Sequence, residues 1–191
     1  MRRAVHSAAC PWLWVIAAAG TVASGGPANS RSATSMAVAP SGKGRGIAVM
    51  EGYNTVIAVV AEVSVSAGYD VTVDKVVAVV DAGPLVHPDQ AKAQMESTIN
   101  FGQSAVMFGE ITVKNNAIEQ NNFDMYRVVR MNEAPKALEI HWVKAADGQP
   151  PGGLGEPGTA VVQPAIANAI FAATGKRVRR LPLTPENIGA A

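Results

Sequence analysis

Hydrophobic and polar residues alternate at the end of residues 55–66. There Glu62, Ser64 and Ser66 lie on one face and Ala61, Val63 and Val65 on the other, which predicts a β-strand. Residues 71–80 are almost continuous in valine, as is typical of a strand buried on both faces. A turn at residues 67–70 separates the two strands and residues 81–84 end the second, so we predict a β-hairpin.

A four-residue spacing of apolar positions then predicts a long helix. Pro88 and Asp89 suit its first turn, because proline lacks an N–H there and aspartate complements the positive end of a helix. Gly102 weakens the middle of this helix and indicates close packing. The apolar residues on one face are Ala91, Met95, Ile99, Ala105 and Phe108.

The second half of the chain mixes short strands with one more helix. Asn115-Asn116 lies between residues 111–113 and 118–120 and predicts another hairpin. In residues 138–143, alternate positions are apolar and share one face. Residues 164–174 carry a helical apolar stripe that Gly175 ends. Two main helices and two hairpins in mixed order, without regular βαβ alternation, favour an α+β fold.

The N-terminal region differs from the rest in its pattern. Arg2-Arg3 precede a mostly apolar run at residues 10–22, and small residues follow, which is the layout of a secretory signal. The alternative is a poorly ordered extension without a role in export. Residues 25–45 are rich in Gly, Ser, Pro and Ala and indicate a linker. We therefore predict an extension at residues 1–43 and a folded domain at 44–191, periplasmic if the signal is genuine and cytoplasmic otherwise.

Composition excludes several classes of function. The chain has 191 residues, 48% of them hydrophobic and 16% charged, which indicates a globular body. The net charge of +1 gives no electrostatic basis for binding nucleic acid, and 5% aromatic residues are too few for a base-stacking platform. The one cysteine, Cys10, excludes a disulfide framework, a Cys-based zinc site and a Cys-ligated iron–sulfur cluster within this chain.

The candidate chemistry lies in the loop at residues 152–158, which contains four glycines and one carboxylate, Glu156. The glycines allow a bulky ligand to approach the backbone, and Pro157 biases Glu156 towards an extended conformation. A carboxylate presented by such a loop, with a helix soon after, suits a general base facing a cofactor. The alternative is an ordinary turn without catalytic function.

The chain resembles the C-terminal part of the large, molybdopterin-binding subunit of the xanthine dehydrogenase/aldehyde oxidase family, and within it the beta subunit of isoquinoline 1-oxidoreductase. The matching segments follow one another in family order. They are GRGIAV (44–49), VDAG (80–83), QMES (94–97), FGEIT (108–112), QNNFD (120–124), RMNEAP (130–135), PGGLGEPG (151–158) and NAIFAATGKR (168–177).

The resemblance implies an oxidoreductase that hydroxylates an aldehyde or an N-heterocycle with oxygen derived from water. Molybdenum would be held by a pterin dithiolene, so no protein metal ligand is expected. Likeness to the isoquinoline enzyme favours the cytosine dinucleotide form of the pterin. Electrons would pass to iron–sulfur clusters on a small partner subunit.

The resemblance also assigns residues. Glu156 matches the family glutamate that acts as the base. Gln94 matches a glutamine that hydrogen-bonds the pterin; otherwise it would be a solvated helix residue. Gly153 and Gly155 either face the cofactor or serve only the turn.

Other polar residues are expected to be structural. Asp81 suits a turn or cap. His87 and His141 have no partner constellation nearby in sequence. One alternative for Arg127, Arg130 and Lys176 is contact with a phosphate group, but such residues are more often surface charges.

Family large subunits are several times longer than this chain, and most of their cofactor cradle and substrate pocket lies upstream of the matched part. The chain is therefore a split subunit that needs a second polypeptide, a truncated gene product, or a protein recruited for another role. We expect the isolated chain to be inactive, because an incomplete site neither excludes water nor positions a substrate. The alternative function is a non-catalytic remnant or interaction module that keeps the fold without a cofactor.

Overall fold

A four-stranded sheet forms the centre of the computed structural model, which describes residues 42–191. Its strands are β1 (Lys43–Gly52), β2 (Thr55–Val65), β3 (Val71–Asp81) and β6 (Ala137–Trp142), in the order β1-β2-β3-β6. The first three are antiparallel, and β6 joins β3 in parallel. The predicted extension lies outside the described residues, except for its last two positions.

Three helices and a small hairpin complete the fold. The helices are α1 (Pro88–Phe108), α2 (Pro157–Thr174) and α3 (Pro185–Gly189). The hairpin consists of β4 (Val113–Lys114) and β5 (Ala117–Ile118), with both turn asparagines in the left-handed region. The α+β prediction is confirmed. None of the helices in residues 42–191 has the length and apolar character needed to cross a membrane.

The main core lies between the sheet and the two long helices. α2 packs across β1 and β2, and α1 packs against α2. Alternate β3 residues enter different clusters: Val76 joins the helix-side core and Val77 a smaller cluster with Ala58, Val60 and Val79 on the opposite face. Burial of β3 on both faces, predicted from its run of valines, is confirmed.

The start of α2 corrects one prediction. The helix begins at Pro157, seven residues before the predicted start, and Pro164 lies inside it. Proline at the first helical position is favourable, whereas an interior proline normally breaks a helix. Here the segment around Pro164 is fixed by tertiary packing, since Val161, Val162 and Ala165 are buried in the core.

Strand β1 was not predicted because glycines interrupt its apolar pattern. A Cβ at Gly46 would lie 2.2 Å from the carbonyl oxygen of Ala165, and one at Gly44 would lie 2.0 Å from that of Ala169. Both glycines thus allow the backbone of α2 to lie directly on the strand. This contact sets the position of α2 relative to the sheet.

Asp74 on β3 joins three neighbouring segments. Its carboxylate accepts hydrogen bonds from the Ser64 hydroxyl on β2 and from Lys136 Nζ just before β6, the latter at 2.6 Å. Burial raises the pKa of Asp74, but the hydrogen bonds from Lys136 and Ser64, together with the positive charges of Lys136 and Lys43, outweigh it. The pKa lies below its ordinary value of 3.8.

We expect this carboxylate to contribute to acid sensitivity. Because folding lowers its pKa, the stabilisation is fully present above pH 3.8 and is lost as the pH falls through the folded-state pKa. Asp74→Asn should lower the free energy of unfolding at pH 7, and the difference from wild type should shrink below pH 3.8. Urea unfolding across pH measures both, with exposed Asp147→Asn as control. A difference that stays constant down to the lowest pH would contradict this.

Candidate functional site

An open cleft of about 500 Å³ lies between α1 and the first turn of α2. It brings Gln94, Gly155 and Glu156 together, although more than sixty positions separate the first from the others. Both Gln94 and Glu156 are exposed to it. The remaining lining residues are Ser97, Thr98, Phe101, Thr159, Ala160 and Gln163.

Glu156 is the N-cap residue of α2. Its backbone is right-handed helical, with φ −98° and ψ −31°, so the extended conformation predicted from Pro157 is wrong. The reason is the helix itself: the Glu156 carbonyl accepts the Ala160 N–H at 3.2 Å, which closes the first turn. The side chain makes no capping hydrogen bond, which leaves the carboxylate free to serve the cleft.

Gly155 and Gly153 have different surroundings. A Cβ at Gly155 would lie 3.9 Å from Gln94 Nε2, so a side chain there would enter the space beside the amide. Gly153 instead donates its N–H to the Tyr53 carbonyl at 2.8 Å and accepts from Thr55 Oγ1 at 2.7 Å. It anchors the loop to the β1–β2 turn and does not line the cleft. Its contact with a cofactor stays a prediction.

Two threonines in the lining of the cleft lock α1 to α2. The hydroxyls of Thr98 and Thr159 are 2.7 Å apart, and Thr98 Oγ1 also accepts the Thr159 N–H at 2.9 Å. Thr159 Oγ1 further contacts the Thr98 carbonyl at 3.1 Å. Gln94 precedes Thr98 by one helical turn, and Glu156 precedes Thr159 by three residues. The lock therefore holds together the two helix segments that carry the candidate site residues.

Glycines permit this close approach of the helices. A Cβ at Gly158 would lie 2.4 Å from Thr98 Cγ2, and one at Gly102 would lie 2.5 Å from Val162 Cγ1 and 2.7 Å from the Thr159 carbonyl oxygen. The close packing predicted at Gly102 is confirmed. The threonine pair was not predicted, because nothing in the sequence relates two threonines sixty-one positions apart.

Most of the other polar residues considered from the sequence have structural partners, whereas His141 Nε2 has no hydrogen-bond partner among the described residues. Asp81 accepts a hydrogen bond from Gln149 at 2.8 Å, and His87 caps α1 by accepting the Gln90 N–H. His141 lies 3.7 Å from Glu139. Lys176 donates to the carbonyls of Gly189 and Ala191, and Arg127 pairs with Glu133 over the Phe108 ring. Of these, none lines the cleft.

The described residues hold no cluster of three His, Cys, Asp or Glu side chains able to bind a metal ion. The cleft contains a single carboxylate, that of Glu156, together with amide and hydroxyl groups. Such a set suits hydrogen bonding to an organic group and one proton transfer.

A sequence model of the molybdopterin cofactor-binding domain family matches residues 10–135. The chain belongs to this family. The match includes residues 10–43, which the sequence analysis assigned to an extension, and ends before the loop that carries Glu156.

Curated relatives agree with this family. The chain is 41% identical over 118 residues to the membrane-bound aldehyde dehydrogenase [pyrroloquinoline-quinone] of Gluconacetobacter polyoxogenes, which covers 62% of this chain and 15% of that protein. It is 32% identical over 145 residues to isoquinoline 1-oxidoreductase subunit beta of Brevundimonas diminuta, covering 75% and 18%. The resemblance to molybdenum hydroxylase large subunits is confirmed, and this chain spans less than a fifth of these relatives.

Solved structures share the fold. Quinoline 2-oxidoreductase from Pseudomonas putida 86 superposes with a TM-score of 0.65 at 19% identity, covering 71% of this chain and 18% of that one. Aldehyde oxidoreductase from Desulfovibrio gigas gives a TM-score of 0.63 at 25% identity, covering 72% and 15%. The α+β arrangement described above thus recurs in the matched part of these proteins.

Removing the Thr98 hydroxyl should weaken the contact between Thr98 on α1 and Thr159 on α2. In Thr98→Val the side chain keeps its shape, but the Thr159 N–H loses its acceptor, while the Thr159 hydroxyl keeps the Thr98 carbonyl, so we expect the free energy of unfolding to fall by about 1–3 kcal/mol. Thr72→Val, on an exposed position of β3, is the matched control and should change stability little, since valine suits a strand. Urea unfolding measures both. Equal free energies of unfolding for Thr98→Val and Thr72→Val would show that the Thr98–Thr159 contact does not stabilise the fold.

Proposed function

We propose that this chain is the C-terminal segment of the catalytic subunit of a molybdenum hydroxylase that oxidises an aldehyde or an N-heterocyclic substrate. The observation that carries the proposal is the convergence of Gln94, Gly155 and Glu156 on one cleft. The sequence resemblance assigned these residues separately, and the packing of α1 against α2 puts them side by side. The relatives' names include both an aldehyde and an isoquinoline enzyme, which supports the substrate class.

The cleft fits one edge of a pterin cofactor. The absence of a side chain at Gly155 leaves room beside the Gln94 amide, where a Cβ would lie 3.9 Å from Nε2. That amide both donates and accepts, as the edge of a pterin requires. The single carboxylate in the cleft is suited to proton transfer and does not provide a metal-binding set. A metal at this site would therefore be held by its organic ligand.

When bound, the molybdenum cofactor supplies the oxygen to be transferred and accepts the two electrons of the oxidation. The chain's own residues would position the cofactor and remove a proton. Gln94 would hold the pterin by hydrogen bonds from its side-chain amide. Glu156 would act as the general base: its carboxylate would take the proton of the hydroxyl group that the cofactor supplies and, once protonated, would donate a hydrogen bond to the substrate. The Thr98–Thr159 lock holds the helix segments that carry these two residues against each other.

The cleft needs further parts of the enzyme to close it. The cleft is open, and its lining comes from α1, the glycine loop and the start of α2 alone. We propose that the rest of the large subunit, on another polypeptide, closes it, and that an iron–sulfur small subunit accepts the electrons. The cytosine dinucleotide form of the pterin belongs to the same proposal, on the strength of the likeness to the isoquinoline enzyme.

The test compares variants in the complex isolated from cells that express the chain with its natural partners. Glu156→Gln should lower kcat by roughly 10²–10⁴-fold, the usual contribution of a general base, while molybdenum content by elemental analysis stays at the wild-type level. Gln94→Ala should lower the molybdenum content itself. Exposed Glu110→Gln, outside the cleft, is the matched control for loss of a carboxylate. The purified chain alone should contain no molybdenum and oxidise neither substrate class.

Two results would contradict the proposal. A Glu156→Gln complex with full metal content and wild-type kcat would remove the base from the mechanism. A wild-type complex without molybdenum would favour the non-catalytic remnant instead.

A further inference from the structure

Residues 109–136, between α1 and β6, form an arm whose apolar side chains point into solvent. Eight of the fourteen large hydrophobic side chains exposed in residues 42–191 lie in this arm, although it is less than a fifth of that part of the chain. Met131 is 96% exposed, Phe123 92% and Val113 68%. Exposed apolar groups concentrated in this way mark a surface that binds another protein.

Polar contacts hold the arm against α1, and the arm takes no part in the hydrophobic core. No residue between Phe108 and Leu138 belongs to either hydrophobic cluster. The arm is joined to α1 by Val129 N–H to Ser104 Oγ at 3.0 Å and by Gln103 Nε2 to the Glu133 carbonyl at 2.8 Å. Within it, Glu133 accepts from the Arg130 N–H and pairs with Arg127. The backbone is therefore positioned while the apolar side chains lack a partner.

The arm borders the candidate site. A second cavity, of about 480 Å³, lies between α1 and the arm and is lined in part by Val128, Arg130 and Met131. It shares Ser97 and Phe101 with the cleft of Gln94 and Glu156. A protein covering the arm would thus lie beside the open side of that cleft.

We infer that the apolar surface of the arm docks onto the part of the large subunit that this chain does not contain. The inference rests on the proposed function. The relatives carry more than four-fifths of their length outside the matched region, and that part of the large subunit is the occupant we propose for this surface. The family match runs through the arm to residue 135, which makes the arm part of the shared domain. Its aromatic and methionine side chains are the types enriched in the centres of interfaces.

Site-specific photocrosslinking in cells with the natural partners tests this directly. p-Benzoylphenylalanine replaces Phe123 in the full-length chain, and the matched control carries it at Val86, which is 97% exposed but outside the arm. We expect irradiation to attach the chain, from position 123 and not from 86, to a polypeptide that mass spectrometry identifies as large-subunit sequence absent from this chain. The paired substitution Phe123→Ser and Met131→Ser should lower copurification of that polypeptide by about tenfold or more, as loss of central interface residues does, with Val86→Ser as control.

Three results would overturn the inference: no adduct at position 123, an adduct only with a second copy of the chain, or equal adducts at 123 and 86. Adduct formation does not require the cofactor. A large-subunit adduct in a molybdenum-free complex would support the docking and contradict the catalytic proposal, and a molybdenum-containing complex without an arm adduct would contradict the docking alone.

Discussion

The close contact between α1 and the first turn of α2 determines the candidate site. Gly102 and Gly158 remove the Cβ atoms that would keep the helices apart, and Thr98 and Thr159 then hydrogen-bond across the gap. The contact is both a packing and a polar constraint, and a buried hydroxyl that loses its partner is costly. Gln94 and Glu156 extend from these two helix segments, so their common cleft is a consequence of the contact.

The sheet holds α2 and the loop before it in place. α2 lies on β1 because Gly44 and Gly46 leave its backbone room, and the loop before α2 is tied to the β1–β2 turn through Gly153 and Tyr53. Gly152 donates to the Ala82 carbonyl at the end of β3. The glycines of the loop therefore serve two purposes. Gly152 and Gly153 attach it to the sheet, while Gly155 leaves space beside Gln94.

The sequence pattern predicted those strands and helices whose determinants lie within the segment itself. The valine-rich β3 and the start of α1 at Pro88 follow from residues within those segments. The elements that were missed or shortened, β1 and the first two turns of α2, depend on packing between distant segments. The glycines of β1 are typical of a linker, and only the packing of the α2 backbone against them explains why they lie in a strand. Pro164 is typical of a helix start, but burial of the preceding turn keeps it inside the helix.

The candidate site was predictable in part. Resemblance to a family identified Gln94 and Glu156, and neither periodicity nor composition would have paired them. The helical conformation of Glu156 differs from the local preference set by Pro157, because forming the first turn of a buried helix outweighs a single-residue bias. The Thr98–Thr159 lock has no sequence signal, and only the three-dimensional contact of the helices shows it.

The helix contact is tested most directly by nuclear Overhauser spectroscopy of the full chain, with the Thr98 methyl group as probe. We expect a strong cross-peak to the α protons of Gly158, since a Cβ at that glycine would lie 2.4 Å from the methyl carbon. Absence of this cross-peak in the folded protein, with Thr98 and Gly158 contacting other segments, would contradict the common cleft of Gln94 and Glu156 and the function built on it.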